Sequence, residues 1–252
     1  MRENPFDLSG KVAAITGPTR GIGRSIALGL AESGADIALI QRHNQDDVKK
    51  EVEDLGVKCE IILCDLSKRE DLHACIPRII SEFGAIDILV NNGGIQRRSP
   101  AVEFSEQDWD DVISVNLNAV WFLAQAAGRE MVKKESGKII NIASLISFQG
   151  GINIPAYASA KGGVAQLTKA LSNEWAKHNV NVNAIAPGYI ATDMNEALIN
   201  DKERSVQILD RIPAGRWGSP DDFKGSAIYL ASDAASYVHG HVLTVDGGWM
   251  GR

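Results

Sequence analysis

Tyr157 and Lys161 stand four residues apart in the stretch Y-A-S-A-K, a spacing that puts both on one face of a helix, one turn from each other. A tyrosine hydroxyl titrates near pH ~10, too high for an efficient acid or base at neutral pH. An ammonium group held close to it favours the phenolate and lowers that value. Ser144 lies thirteen residues earlier, just past the apolar positions Ile139, Ile140 and Ile142, which read as a strand. Together these residue types could supply a proton donor, its activator and a hydrogen-bond donor for a carbonyl oxygen. Two ordinary helix residues that happen to be four apart explain the pair as well, so the elements around it must decide.

Those elements alternate. Apolar runs over 11–16, 36–41, 59–63, 86–91, 138–142, 180–185 and 241–245 read as strands. Helical patterns follow over 21–33, 48–55, 68–83, 157–178 and 220–230, and a polar helical stretch covers 192–211. Ser105-Glu106-Gln107-Asp108 resembles a capping box and is expected to open one long helix toward Lys134. Nearly all-apolar strands alternating with helices imply a parallel sheet covered on both faces. The expected fold is α/β, a single doubly wound Rossmann-type domain over 1–252 with a sheet of about seven strands. No linker, repeat or composition break divides it.

Composition narrows the function classes. The 44% hydrophobic and 23% charged content of the 252 residues is ordinary for a chain with a real core. No apolar run reaches the ~18 residues of a membrane span, and the N-terminal Met1-Arg2-Glu3-Asn4-Pro5-Phe6-Asp7 lacks a signal peptide's apolar centre. A net charge of −6 without a basic cluster argues against nucleic acid and anionic membranes as partners. Cys59, Cys64 and Cys75 form no C-x-x-C pair. They read as reduced, buried thiols of a cytoplasmic protein, with no metal site expected.

Thr16-Gly17-Pro18-Thr19-Arg20-Gly21-Ile22-Gly23 joins the first strand to the first helix. Glycines allow positive φ and close approach of a backbone to a pyrophosphate, and the helix N-terminus offers free N–H groups and a favourable dipole. Any tight βα turn can use glycines. On the first strand of an α/β pattern, nucleotide binding is the better reading. The second strand ends at Gln41, followed by Arg42 and His43, where a carboxylate would select a free ribose 2′-hydroxyl. Arg42, with Arg20 in the turn, could instead pair with a 2′-phosphate. NADP(H) is therefore favoured, with NAD(H) still possible.

With T-G-x-x-x-G-x-G (16–23), C-D-L (64–66), N-N-G-G (91–94), Asn116, Ser144, Y-A-S-A-K (157–161), A-P-G-Y-I-A-T (186–192) and D-G-G (246–248) in this order, the chain resembles the short-chain dehydrogenase/reductase family over 11–249. The resemblance implies the fold above and hydride transfer between a nicotinamide cofactor and a ketone or secondary alcohol. It makes Tyr157 the acid in reduction and the base in oxidation. Lys161 would lower the Tyr157 pKa and hold the nicotinamide ribose, Ser144 would hold the substrate oxygen, and Asn116 would support a water-mediated proton path. Ser147 and Asn118 compete with Ser144 and Asn116 on sequence alone. Gly17, Thr19, Arg20, Gly21, Ile22 and Gly23 would carry the phosphates, and Asp65 and Leu66 would lie near the adenine. Asn91 and Gly93 would pass under the cofactor, while Pro187, Gly188, Ile190 and Thr192 would frame the carboxamide. Gly93 stands where the family usually has alanine, a change expected to leave room for the cofactor.

Longer stretches, including E-F-S-E-Q-D-W-D-D-V (103–112), S-L-I-S-F-Q-G-G (144–151) and I-L-D-R-I-P-A-G-R-W-G (208–218), resemble a sugar-acid branch of that family, commonly associated with NAD(H). An acid substrate needs a cation, and Arg97 and Arg98 after N-N-G-G are both candidates for a bidentate clamp. Gln149 and Asn153 could bond sugar hydroxyls, and 193–216 is expected to cover the substrate. The alternatives are a broad carbonyl reductase, a 3-oxoacyl-thioester reductase, or a non-catalytic NADP(H)-binding regulator. The resemblance implies a homo-oligomer, a tetramer ahead of a dimer, with apolar positions in 164–175 and 245–249 as candidate contacts or core.

Overall fold

The computed structural model describes residues 4–252; Met1, Arg2 and Glu3 of the N-terminal segment lie outside the described residues. Seven strands pair in parallel: β1 (Val12–Thr16), β2 (Asp36–Gln41), β3 (Cys59–Leu63), β4 (Ile88–Asn91), β5 (Gly137–Ile142), β6 (Val180–Pro187) and β7 (Val242–Val245). The order β3-β2-β1-β4-β5-β6-β7 reverses direction between β1 and β4, and ligands of such sheets bind at the carboxyl ends beside that switch point. Strand residues alternate between the two faces. Ala13 and Ile15 of β1 pack in one core with Ile37 and Leu39, while Val12 and Ala14 pack in the opposite core with Ala38 and Ile40.

Helices cover both faces because each presents an apolar stripe to one of these cores. On the first face lie α1 (Gly21–Glu32) and α2 (Asp47–Glu53), through Ile26, Leu30, Val48 and Val52. On the second lies α3 (Arg69–Phe83), through Leu72, Ile76 and Ile79, stopped by Gly84 in the left-handed region at φ 82°.

The expected single helix from Ser105 is interrupted. It runs as α4 (Glu106–Ile113), a π turn at Ser114–Asn118, and α5 (Ala119–Lys133). Ser105 caps it by accepting from Asp108 N at 3.1 Å. The turn contains Asn116, whose side chain binds a neighbouring loop, and insertions of this kind recur at functional sites. Next comes α6 (Pro155–Trp175), which starts two residues before Tyr157 because a proline suits the first helical turn.

The polar stretch after Thr192 is not one helix but a short turn at Asp193–Asn195, α7 (Glu196–Asn200) and α8 (Lys202–Leu209), the last capped by Asp201. The helix expected from Pro220 begins as a 3₁₀ turn, Pro220–Phe223, and continues as α9 (Lys224–Ala231), whose Ala227 and Leu230 join the first core. Val164, Leu171 and Trp249 are buried within the chain itself, whereas Leu167, Trp175 and Val245 are only half-buried. Among the described residues, no helix is long and apolar enough to cross a membrane.

Candidate active site

The carboxyl ends of the strands open into a cleft of about 1600 Å³. The phosphate turn forms its floor. Gly17 and Gly21 take φ of 64° and 55° there, which L side chains rarely adopt. A Cβ on Gly23 would stand far inside contact with the Gly17 carbonyl and the Asn92 amide, so the helix begins flush against the turn. Asn92 fastens this arrangement: its Nδ2 donates to the carbonyls of Thr16 and Gly17 at 2.9 and 3.0 Å. Thr16 Oγ1 in turn accepts from the backbone of Asn92 and Gly93 at 2.9 and 2.8 Å. Arg20 occupies the N-cap of α1 without a capping side-chain bond, which leaves first-turn N–H groups free for an anion.

A cavity of this form accommodates a dinucleotide. The other sign of fit lies at the end of β2. Gln41 is 4% exposed and borders the cleft, and its Nε2 donates to the Gln45 carbonyl at 3.0 Å while Oε1 is buried without a partner. The carbonyl demands the amide nitrogen, so the oxygen is left to accept from a ligand hydroxyl. Arg42 beside it is exposed and donates from Nε to His43 Nε2 at 2.9 Å. Asp65 also borders the cleft. Burial pushes its carboxyl upward, but the Ser67 backbone and hydroxyl bonds, with Arg42 and Lys68 nearby, hold it below the usual range.

At the other end of the cleft, β5 delivers Ser144 and α6 delivers Tyr157 and Lys161; all three line it. Ser147 does not compete with Ser144, because its hydroxyl donates to the Lys161 carbonyl at 2.7 Å and so fastens the β5 loop to α6. Burial raises the Tyr157 hydroxyl above its ordinary value, opposed by the Ser144 hydroxyl and by the charge of Arg98. Burial pulls the Lys161 ammonium down to about 8.

The family resemblance implies that Lys161 lowers the Tyr157 pKa. In the structure Nζ lies 5.7 Å from the Tyr157 ring centroid and donates to the Ile142 carbonyl at 2.5 Å. Its charge is turned toward the strand end, and the groups that favour the phenolate are Ser144 and Arg98.

The depressed Lys161 value has a consequence for stability. Between pH about 8 and 10.5 the unfolded chain holds the Lys161 proton that the folded chain has lost, so in that window stability rises with pH on this account. Below about 8 the folded protein carries a charge that burial disfavours. Replacing Lys161 by Met removes that burden, so the change in Tm relative to wild type should be more favourable at pH 6 than at pH 9.5. Equal changes at both values, read by scanning calorimetry, would show that the ammonium is not desolvated.

Three residues expected at the site lie outside the cleft lining. Asn91 is 3% exposed and donates to Asn141 Oδ1 at 2.9 Å; the cleft-facing residue of N-N-G-G is Asn92. Asn116 is fully buried, and its amide accepts from Ile95 N and donates to Ile95 O, both at 2.8 Å. Its side chain therefore holds the 92–98 loop. Asn153 is exposed, in the left-handed region at φ 63°, and gives only its carbonyl, to Ser99 N at 3.1 Å.

Gly93 does border the cleft, but a Cβ there would lie 2.5 Å from Leu66 Cδ1. Leu66, rather than free space, takes the room that a methyl group would fill. Gly17, Thr19, Gly21, Ile22, Pro187, Gly188, Ile190, Thr192 and Gln149 all border the cleft as expected.

The two arginines after the loop differ. Arg97 pairs with Asp108 at 3.2 Å and Asp111 at 3.5 Å, both on α4. Arg98 donates only to Gln96 Oε1, at 2.9 Å, and among the described residues has no carboxylate partner. The opposite wall comes from 194–211 and Trp249, through Met194, Leu198, Gln207, Ile208 and Arg211. Arg211 stacks on the Trp249 ring at 4.1 Å, and Tyr189 packs on the same indole at 4.6 Å between centroids. Arg211 falls within 193–216, the segment expected to cover the substrate; sequence reasoning missed Asn92 and Trp249. The doubled asparagine of N-N-G-G was the available signal for the first, and only the tertiary fold brings Trp249 to the cleft.

Known proteins resemble this chain in sequence and fold. A family model described as enoyl-(acyl carrier protein) reductase matches residues 17–250. The chain is 57% identical to a 2-dehydro-3-deoxy-D-gluconate 5-dehydrogenase of Pseudoalteromonas atlantica, over 98% of each protein. A solved structure from Agrobacterium tumefaciens, assigned as a 2-deoxy-D-gluconate 3-dehydrogenase with NADP bound, superposes with a TM-score of 0.93 at 49% identity, over 99% of this chain and 100% of that one. A gluconate 5-dehydrogenase from Burkholderia cenocepacia in complex with NADP and tartrate superposes with a TM-score of 0.92 at 41% identity, over 98% of each chain. With Ser144, Tyr157 and Lys161 gathered beside a glycine-rich phosphate turn, the chain belongs to the short-chain dehydrogenase/reductase family of oxidoreductases.

Proposed function

We propose that this protein interconverts a ketone and a secondary alcohol on a sugar acid of the gluconate or keto-deoxy-gluconate type, with NADP(H) preferred over NAD(H). The observation that carries the substrate class is Arg98. It borders the cleft, has no carboxylate partner among the described residues, and its charge acts on Tyr157. A cation so close to the proton donor suits a substrate whose carboxylate and reacting carbon belong to one small molecule. The gluconate-type names of the relatives, and the NADP bound in two of the solved ones, support the same reading.

The phosphate turn, Gln41, Arg42, Asp65 and the 187–192 segment would hold the dinucleotide, and when bound its nicotinamide supplies or accepts the hydride. The chain's own groups do the rest. Ser144 donates a hydrogen bond to the carbonyl oxygen and fixes it beside Tyr157. Tyr157 passes its proton to that oxygen in reduction and takes one from the alcohol in oxidation. Arg98 grips the carboxylate, so the reacting carbon is oriented before reaction, and orientation of this kind removes much of a barrier. Ile146, Leu198 and Trp249 keep water from the reacting end, and the 193–216 segment covers it. Asn116 acts as a positioning residue through Ile95. We further propose a homo-oligomer, a tetramer ahead of a dimer, acting in the cytoplasm. Family membership and three free cysteines support this, and light scattering of the purified protein checks the assembly.

The direct test is a panel of keto sugar acids, neutral ketones and 3-oxoacyl thioesters, each with NADPH and NADH. Keto sugar acids should give the highest kcat/KM, and comparable values for neutral ketones or thioesters would overturn the substrate class. Arg98→Met should raise KM for the acid by about 10- to 100-fold, the loss of one charge-assisted bond pair, with little change for a neutral ketone. Arg97→Met should leave KM within about threefold, because Arg97 is committed to α4, where exposed pairs are worth about 1 kcal/mol or less.

A further inference from the structure

Arg20 borders the cleft from the phosphate turn, yet its guanidinium is already engaged. Nη1 donates to Asp193 Oδ2 at 2.7 Å, a contact between residues 173 positions apart in the chain. Asp193 opens the segment that forms the opposite wall. The backbone there is seated on the phosphate turn, since the Thr192 methyl lies 3.5 Å from where a Cβ on Gly21 would stand. Arg42, at the end of β2, is placed differently. Its side chain bonds only to the His43 ring and, among the described residues, has no carboxylate partner. Of the two arginines available to a ribose phosphate, one is free and the other is neutralised by a carboxylate of the covering segment.

We infer that Asp193 is a specificity-determining residue: it withholds Arg20 from the 2′-phosphate of NADP(H) and so narrows the preference for NADP(H) over NAD(H). This rests on the cofactor reading above. Asp193 takes a single bond from Nη1, so a phosphate that meets Arg20 in full two-bond geometry through that edge must displace it, because one edge of the fork serves one anion at a time. The pair is exposed, 77% and 67% by side chain, and exposed pairs are weak. A phosphate monoester carries close to two negative charges at neutral pH and accepts through three oxygens, so it can displace the carboxylate at a modest cost in affinity. NAD(H), with a free hydroxyl at that position, makes no demand on Arg20. It can instead use the unpartnered Gln41 Oε1. Asp193 therefore taxes one cofactor and not the other.

Calorimetric titration of NADP+ and NAD+ into the wild type, Asp193→Asn, Arg20→Gln and the double variant tests this. Wild type binding NADP+ more tightly than NAD+ supports the cofactor reading; the reverse overturns that reading and this inference with it. Given that order, Asp193→Asn should tighten NADP+ about two- to fivefold, the range expected for releasing an exposed pair. NAD+ should change by less than about 1.5-fold. In the Arg20→Gln background the Asp193 substitution should have no effect on NADP+, because the competition is gone. The inference fails if Asp193→Asn weakens both cofactors, which would make the pair a clasp that retains them. It also fails if NADP+ tightens equally with and without Arg20, which would make the effect one of charge at a distance.

Discussion

Tyr157→Phe should lower kcat by about 10²- to 10⁴-fold, the contribution of a positioned general acid or base, while dinucleotide affinity stays within about twofold. The substitution removes one oxygen and leaves the ring packed beside Val112, Ala156 and Ala160. Folding and the cleft wall should therefore persist. What disappears is the group that moves the proton, and the adjacent Ser144 cannot take over while its hydroxyl serves the substrate oxygen. Because burial raises the Tyr157 hydroxyl above its usual value, the protonated form dominates at neutral pH and suits reduction. Oxidation needs the phenolate, so its rate should climb with pH until Tyr157 has titrated. The two groups act on one oxygen, so Ser144→Ala added to Tyr157→Phe should cost far less than it does alone. Steady-state kinetics in both directions, with a separate binding titration, distinguish these outcomes; near-normal kcat in the Phe variant would falsify the acid/base assignment.

The parts of the protein that were legible in its sequence are those whose chemistry is local. All seven strands read correctly to within two residues at either end, because apolar residues dominate strands of a sheet covered on both faces, even at the half-buried β7 edge. Ser144, Tyr157 and Lys161 were legible because strand end and helix face fix their mutual placement. The exceptions all depend on partners distant in the chain. The π turn around Asn116 leaves no mark in a helical pattern, since it answers to Ile95, 21 residues away. Arg97 and Arg98 are equivalent as neighbours and become different only when α4 brings Asp108 and Asp111 to the first of them. Lys161 sits one helical turn from Tyr157, yet the strand-end carbonyl of Ile142 decides where its charge points. Gly93 reads in the sequence as room for a cofactor, but in the structure the Leu66 side chain fills the space its methyl group would take.

Gly23→Ala should abolish detectable dinucleotide binding, a loss of about 100-fold or more, and should lower Tm by several degrees. The new Cβ would enter the space of the Gly17 carbonyl and of Asn92 Nδ2. Neither is a loose side-chain end. The carbonyl belongs to a glycine at φ 64°, and Nδ2 is fixed by its bonds to Thr16 and Gly17. Relief requires the turn to shift, which would break those bonds and the pair that Thr16 Oγ1 accepts from Asn92 and Gly93. Overpacking costs about 1–3 kcal/mol, and for a chain of this size each kcal/mol lowers Tm by about 2–4 °C. The larger effect falls on binding, because the same shift moves the α1 N–H groups that a pyrophosphate needs. Gly225→Ala is the control: nothing lies within 4 Å of its added methyl, and alanine in a helix is neutral or stabilising by up to about 1 kcal/mol. If the Gly23 variant melts lower yet binds NADP+ as the wild type does, the turn serves packing and the phosphates are held elsewhere. Loss of binding in the Gly23 variant alone, with Gly225→Ala unchanged, ties the phosphates to this one close approach of backbone to backbone.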